Sequence, residues 1–535
     1  MKQLIIKTIF ILFVISFTGC SLSPKKIDNQ SQYNNTHLTL KSIIEQQKNI
    51  TGNITLEEAI ARVLKYNLDN RLQQTQLALE SGSLNQAYLE MLPSLLVDGN
   101  YSFRNNEQIQ NLVQNGQVVP GEQSFTPREI VDFSAGVQWN ILDFGLSYTR
   151  AQQQANRVMI MKEQQRKITQ ALIQQTIAIY WKAWTAQQMA PKVARFKKEA
   201  EKALLNSILA SKNKLSPNEK ELDYQNVLIK AIRKATKLQL QIADAKASLS
   251  RLMNANQNSQ YQLIAPKESI KKLPNINPEF EKMDLLALLY RPELREASYQ
   301  KQIAEKGVQA AVLEMLPGIS FDYGYNNTNN QFMLNRNWLG GNINLSFDLI
   351  NSLLKAPMNI KNAKMVVQYE QLKQAATTAT VLTQIRIAYS NYLLWQSDYH
   401  YAKQEVETTE KLYLSALNNE KAKRSSKQET IRRALDALNS EFDEQITFAN
   451  AYEALATIYQ SIGLDFLDPS AKYLPLEQLT QSIGKILQAQ SNGDFNNIID
   501  QSYKQAIHSI KQLQKPKNTK AKIDSSNNKQ QSKAN

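Results

Sequence analysis

The stretch Ala87-Tyr88-Leu89-Glu90-Met91-Leu92-Pro93 decides how this chain is organised, because it returns 224 positions later as Ala311-Val312-Leu313-Glu314-Met315-Leu316-Pro317. The order of features around each copy is the same: an amphipathic helical run, the Leu-Pro stop, alternating apolar and polar residues over strand-like lengths, and a much longer helical run. A repeat has to be found before a fold is assigned, since a missed duplication misplaces every later element. The sequence therefore predicts two copies of one structural unit.

The composition favours long helices and argues against a nucleic-acid-binding protein. Only 16 glycines and 15 prolines occur in 535 residues, which is typical of extended helical chains. The formal net charge is +15, but residues 501–535 hold eight lysines against the single acid Asp524. That polar segment is predicted to be a disordered tail. The remaining positive charge is spread out, and no Arg-aromatic platform or nucleic-acid module is present.

The first residues have the pattern of an export signal. Residues 8–17 form an apolar run that follows two lysines and is too short to span a bilayer as a permanent helix. The run ends close to Cys20, the only cysteine of the chain. A cysteine after glycine at this place resembles the bacterial lipobox, so we expect residues 1–19 to be a signal peptide and Cys20 to be lipidated. The alternative for a lone cysteine is a small buried hydrophobe.

Apolar residues at helical spacing predict three helices in each repeat. They span residues 55–91, 146–212, 218–253, 279–316, 352–422 and 427–463. In each repeat the two shorter helices together match the long one in length, so we expect them to lie end to end beside it. At about 1.5 Å per residue each rod is on the order of 100 Å long, more than a globular domain needs. Apolar heptads from Val158 predict coiled-coil packing, and Pro191 predicts a kink or a crossover.

Four stretches alternate apolar and polar residues over strand-like lengths: 95–104, 131–141, 319–326 and 341–348. This alternation is typical of a membrane β-barrel with lipid outside and water inside, and equally of an ordinary half-buried sheet. Four strands cannot close a barrel, so membrane-spanning strands would require an oligomer. The polar segment 104–130 is predicted to be a long loop at the outer face, with 327–337 as its shorter counterpart.

The repeats and composition divide the chain into six parts. These are a signal peptide (1–19), a lipidated N-terminal tether (20–53), repeat one (54–254), a linker (255–278), repeat two (279–465), and a C-terminal segment with a basic tail (466–535). A further helix is predicted around 483–513. That helix either packs on the body as a belt or hangs free.

The whole layout resembles the TolC family of outer membrane channels. The resemblance rests on Leu56-x-x-Ala59-Ile60-x-x-x-Leu64-x-x-Asn67, Arg291-Pro292-Glu293-Leu294-Arg295, the paired Leu-Pro stops, and Phe347-Asp348, and it covers residues 54–464. Residues 20–24 further resemble the lipoprotein branch of these channels. The resemblance implies a mainly α chain with membrane β: a long helical coiled-coil barrel and a 12-stranded β-barrel shared by a homotrimer, in the outer membrane of a Gram-negative bacterium.

The resemblance also implies partners and site residues at the inner end of the helices. A periplasmic adaptor protein and an inner membrane pump or transporter are expected to dock at the two helix turns, whose matching positions are Asn213, Ser216, Glu219, Lys423 and Ser426. Glu429 matches the first of two acids that narrow the inner end of a well-known member, and Arg432 replaces the second. The gate is then either an ion pair between chains or absent. The alternative is a solvated, charged helix tip.

Catalysis has little support in the sequence. The histidines His37, His400 and His508 are far apart, and no metal-ligand spacing, nucleophile elbow or glycine-rich phosphate loop occurs. We expect that the protein is not an enzyme and binds no cofactor. The leading hypothesis is a passive channel exporting drugs, small molecules or proteins in a tripartite efflux pump or a type I secretion system. The alternatives are a periplasmic coiled-coil scaffold or interaction lipoprotein, which leaves the strands unexplained, and a basic periplasmic interaction protein, which explains only the tail.

Overall fold

A computed structural model describes most of the chain. The described residues are 26–50, 52–115, 117–212, 219–256, 259–264, 273–465, 467, 471, 474–491 and 495–514. The elements, in chain order, are α1 (Asn29–Glu45), β1 (Gly52–Ile54), α2 (Leu56–Tyr66), α3 (Leu68–Leu89), β2 (Ser94–Phe103), β3 (Gln108–Gln114), β4 (Gln117–Thr126), β5 (Glu129–Asn140), α4 (Ile141–Lys212), α5 (Glu219–Leu252), β6 (Tyr261–Leu263), α6 (Phe280–Tyr290), α7 (Pro292–Leu313), β7 (Gly318–Thr328), β8 (Asn337–Ser346), α8 (Ala356–Lys421), α9 (Lys427–Ser461), α10 (Leu476–Ser491) and α11 (Phe495–Gln514).

The duplication is confirmed in the backbone. Helices α2 and α6 are both 11 residues long, and α3 and α7 are both 22 residues long. The predicted single helices 55–91 and 279–316 are wrong, because each is broken once. The breaks are at Asn67 (φ −61°, ψ 129°) and at its repeat partner Arg291 (φ −62°, ψ 126°). The Asn67 side chain caps α3, and Pro292 disfavours a helical Arg291.

The prediction of helices lying end to end is confirmed at these two breaks. The Asn67 side-chain amide donates to the carbonyl of Leu252, the last residue of α5, at 3.0 Å. The Arg291 guanidinium donates to the carbonyl of Gln460, in the last turn of α9, at 3.1 Å. The Asn67 bond satisfies a carbonyl at the end of α5, and the Arg291 bond adds a second donor to the Gln460 carbonyl, which also accepts from the Gly463 amide at 3.0 Å. The two breaks also join α5 to α3 in the first repeat and α9 to α7 in the second.

The helices form one layer with two open edges. Helix α4 packs against α3 and α5 of its own repeat and against α7 and α9 of the second repeat, and α8 packs on α7 and α9; α5 and α9 also touch each other. Helix α4 therefore has neighbours from both repeats and buries Tyr180, Trp181 and Met189. It continues without interruption through Pro191, so the predicted crossover there is wrong.

The strands form a four-stranded antiparallel sheet in the order β2-β5-β7-β8. The two repeats meet inside this sheet, because β5 of the first pairs with β7 of the second. The loop predicted over 104–130 is wrong, since it contains the separate hairpin β3-β4. Asn115 adopts a φ of 54° in its turn. The Asn115-Gly116 pair is a strong hairpin signal that the sequence interpretation missed.

A smaller group of elements packs against the long helices. Strands β1 and β6 pair in parallel, and the buried Tyr180 hydroxyl lies within hydrogen-bond distance of the carbonyls of Ile54 (2.9 Å) and Ile264 (2.8 Å), which share its single proton. The predicted tether and linker thus each contribute a strand. The predicted C-terminal helix is two helices, and both pack on the body, α10 on α2 and α11 on α6. Residues 1–25, which include Cys20, and the tail 515–535 lie outside the described residues.

Candidate functional site

The four-stranded sheet has one apolar face and one polar face, because the register places like residues opposite one another. On the apolar face, Leu95 lies opposite Val137 and Val137 opposite Tyr323. A neighbouring row joins Trp139, Phe321 and Ile343. These side chains are exposed on the single chain, from 38% for Trp139 to 76% for Leu95. An exposed apolar surface of this extent requires a partner or lipid.

The polar face carries carboxylates and no basic side chain. Asp98 lies opposite Ser134, and Asp322 lies opposite Gln138. Asp132 accepts a hydrogen bond from the Thr328 hydroxyl at 2.7 Å. The sequences of β2, β5, β7 and β8 contain no lysine or arginine. A hollow of about 350 Å³ lies on this face, with Asp98 and Asp322 in its lining.

A row of glycines crosses the middle of the polar face. Gly136 lies opposite Gly324, which lies opposite Gly340. A Cβ atom added to Gly324 would lie 2.7 Å from the Ala135 carbonyl oxygen and from the Gly136 Cα. The strands approach each other too closely there for a side chain. Glycine at such positions is how a strongly curved sheet is accommodated.

Both edges of the sheet and of the helix layer are open in the described part of the chain. Strand β2 pairs only with β5, and β8 only with β7. At the edge formed by α8, large apolar side chains are exposed, including Met358, Met365, Tyr369 and Leu372. At the opposite edge, α3 exposes Leu68, Leu72 and Leu79. The open edges of sheet and helix layer fall on the same two sides, because α3 leads into β2 and β8 leads into α8.

The second helix turn is held in one conformation by its own hydrogen bonds. Lys423 adopts the left-handed conformation, with φ 58°. The Ser426 hydroxyl caps α9 by accepting from the Glu429 amide at 3.4 Å. The Glu429 carboxylate accepts from Arg432 at 2.8 Å and from Arg433 at 2.7 Å. These bonds, with that from Arg432 the stronger effect, lower the pKa of Glu429.

The structure thus brings together four of the predicted tip residues, Lys423, Ser426, Glu429 and Arg432. The Glu429–Arg432 pair lies within one chain, three positions apart on α9. Glu219 is the first residue of α5 and is exposed in the other turn. The predicted positions Asn213 and Ser216 lie outside the described residues.

Two further groups of residues were not singled out by the sequence interpretation. Arg433 is the second ion-pair partner of Glu429, and the i,i+4 spacing of the two residues could have identified this pair. Arg166 binds the Asp465 carboxylate at 2.6 Å and the carbonyls of Tyr290 and Gly463 at 2.7 Å each. No local sequence signal could have found this cluster, because Arg166 lies more than a hundred positions from each of these three partners.

The described residues lack two features. No helix there combines the length and the apolar character needed to cross a membrane. No group of three or more His, Cys, Asp or Glu side chains there is placed to hold a metal ion.

The chain resembles solved structures, although no protein-family model and no curated protein sequence matches it. It is 14% identical to the CmeC outer membrane channel of Campylobacter jejuni, covering 87% of this chain and 99% of that one with a TM-score of 0.59. It is also 14% identical to the MtrE outer membrane channel of Neisseria gonorrhoeae, covering 77% and 89% with a TM-score of 0.59.

A third similar structure is the outer membrane protein VceC of Vibrio cholerae, which is 12% identical. The match covers 77% of this chain and 97% of that one, with a TM-score of 0.56. The fold class predicted from the sequence is therefore confirmed: mainly helical, internally duplicated, with a small β domain. The chain has the fold of the TolC-family outer membrane channels.

Proposed function

We propose that three copies of this chain form a passive outer membrane channel. The observation that carries this proposal is the amphipathic sheet with two open edges, continuous with a helix layer that is open on the same two sides. The apolar face faces lipid, and the polar face with Asp98 and Asp322 faces the water-filled interior. The long helices continue the interior as a tunnel in the periplasm.

The directions of the strands support closure into a ring. Neighbouring strands are antiparallel throughout the sheet, so β2 and β8 run in opposite directions. When β8 of one copy pairs with β2 of the next, the alternation continues across the seam. Three copies pool their strands into a 12-stranded barrel, an even number within the range of known membrane barrels. Closure also removes exposed edges, which otherwise promote aggregation.

The chain then acts as the exit duct of a tripartite efflux pump or a type I secretion system. Its cargo is drugs, small molecules or proteins. A periplasmic adaptor and an inner membrane pump or transporter dock at the two helix turns, around Glu219, Lys423 and Ser426. Glu429 and Arg432 are the gate residues, and opening is a shift between closed and open arrangements that partner binding favours. Lipidated Cys20 anchors each copy in the outer membrane.

Single-channel recording in planar bilayers, together with the mass of the full chain in detergent, tests this function. A trimer with discrete conductance steps is the expected result. A silent trimer fits a closed inner end, and Arg432→Ala should then produce conductance. A monomer or dimer without conductance would refute the shared barrel and favour the periplasmic coiled-coil scaffold.

A further inference from the structure

A short loop at the outer end of the sheet exposes three consecutive apolar residues. The loop, residues 329–336, connects β7 to β8 at the end of the sheet that faces away from the helices. Leu334 is 102% exposed, and Phe332 and Met333 are each 41% exposed. A cluster of exposed apolar side chains indicates a surface that is covered by a binding partner or by lipid.

Hydrogen bonds fix the backbone of this loop. Asn330, only 6% exposed, accepts from the Phe332 amide through its side chain (2.9 Å) and from the Met333 amide through its carbonyl (3.2 Å). The Val131 amide donates to the side chain of Asn329 at 2.9 Å. These hydrogen bonds already order the loop backbone in the single chain. Docking of its exposed apolar side chains therefore requires little further loss of backbone entropy.

A second apolar strip lies at the same end of the molecule, on the other edge of the sheet. Phe103, the last residue of β2, is 77% exposed, and Ile109, near the base of the hairpin β3-β4, is 51% exposed. Among the described elements, β3 and β4 make extended contact only with each other. A two-stranded hairpin alone in water is marginally stable, so this one needs support from outside its own chain.

We propose that Phe332, Met333 and Leu334 of one copy dock on Phe103 and Ile109 of the next copy around the ring. This inference rests on the proposed trimer. Strand β8 begins and β2 ends at the outer end of the sheet, so pairing these edges places the 329–336 loop beside the base of the neighbour's hairpin. The contact buries apolar surface on both partners and fixes the hairpin at the channel mouth.

Cysteine cross-linking between two differently tagged chains tests the contact. One chain carries Ile109→Cys and the other carries Leu334→Cys, and both are expressed together as full chains. A short bis-maleimide should join the two tags in one band on a denaturing gel. A matched combination with Leu240→Cys, which is 67% exposed on α5, should give no such band.

A seam pair, Tyr101→Cys with Leu339→Cys on separate chains, separates the two proposals. If the seam pair cross-links but Ile109→Cys and Leu334→Cys do not, the docking contact is overturned and the ring still stands. No cross-linking at either place overturns the ring as well. An environment-sensitive dye on Leu334→Cys that shifts to the blue on adding lipid vesicles would assign the loop to lipid and also overturn the contact.

Discussion

Replacing Gly463 by alanine should disrupt the junction between α9 and α7. Gly463 has a φ of 74°, and an added Cβ atom would lie 2.6 Å from the Arg291 amide nitrogen and 2.7 Å from the Tyr290 carbonyl carbon. The left-handed conformation costs alanine roughly 1–2 kcal/mol. Forcing two backbones apart adds about 1–3 kcal/mol. We expect Gly463→Ala to destabilise the protein by about 2–5 kcal/mol.

Two other glycines separate these contributions. Gly52 also has a positive φ, 84°, but nothing lies within 4 Å of an added Cβ, so Gly52→Ala should show the conformational cost alone. Gly82 lies inside α3 with the same open space, and Gly82→Ala should stabilise the helix by about 0.5–1 kcal/mol.

The assay is the midpoint of thermal loss of the helical circular dichroism signal of the full chain in detergent. The expected order of midpoints is Gly82→Ala, wild type, Gly52→Ala and Gly463→Ala, from highest to lowest. A Gly463→Ala midpoint equal to that of Gly52→Ala would show that the close approach to Arg291 costs nothing, which would refute the reasoning.

Three further predictions concern the tip, the polar face and the first helix junction. Because the pKa of Glu429 is lowered, its contacts stabilise the tip above the ordinary carboxyl pKa and are lost as the pH falls through the lowered value. The hydrogen-exchange protection factors over residues 421–433, which correct each rate for intrinsic exchange at that pH, should therefore fall on that descent in wild type but not in Glu429→Gln. In a salt gradient the channel should prefer cations, and Asp98→Asn with Asp322→Asn should lower that preference; an unchanged reversal potential would contradict the assignment of the polar face to the interior. Asn67→Ala removes the cap of α3 and should cost about 1–2 kcal/mol, read as a lower thermal midpoint, whereas an unchanged midpoint would mean that the bond to Leu252 contributes nothing.

The sequence by itself determined the features that depend on local pattern. The repeated Leu-Pro motif at Pro93 and Pro317 revealed the duplication. Proline restricts the conformation of the residue directly before it, so the end of each helix can be recognised from local sequence. The alternation of apolar and polar residues gave the two faces of the strands, since successive side chains point to opposite sides. The capping residue Ser426 predicted the first residue of α9 correctly. The i,i+3 spacing of Glu429 and Arg432 permits the pair seen within α9, although the sequence interpretation had considered this ion pair only between chains.

Only the tertiary structure decided what depends on residues far apart in the chain. Asn67 and Arg291 break their helices at matching positions, yet each finds its carbonyl partner on a helix more than 150 positions away. The register that joins β5 to β7, and the packing of α10 on α2, likewise come from contacts between distant segments. Local pattern selects the elements, but the burial of apolar surface between distant elements selects their arrangement.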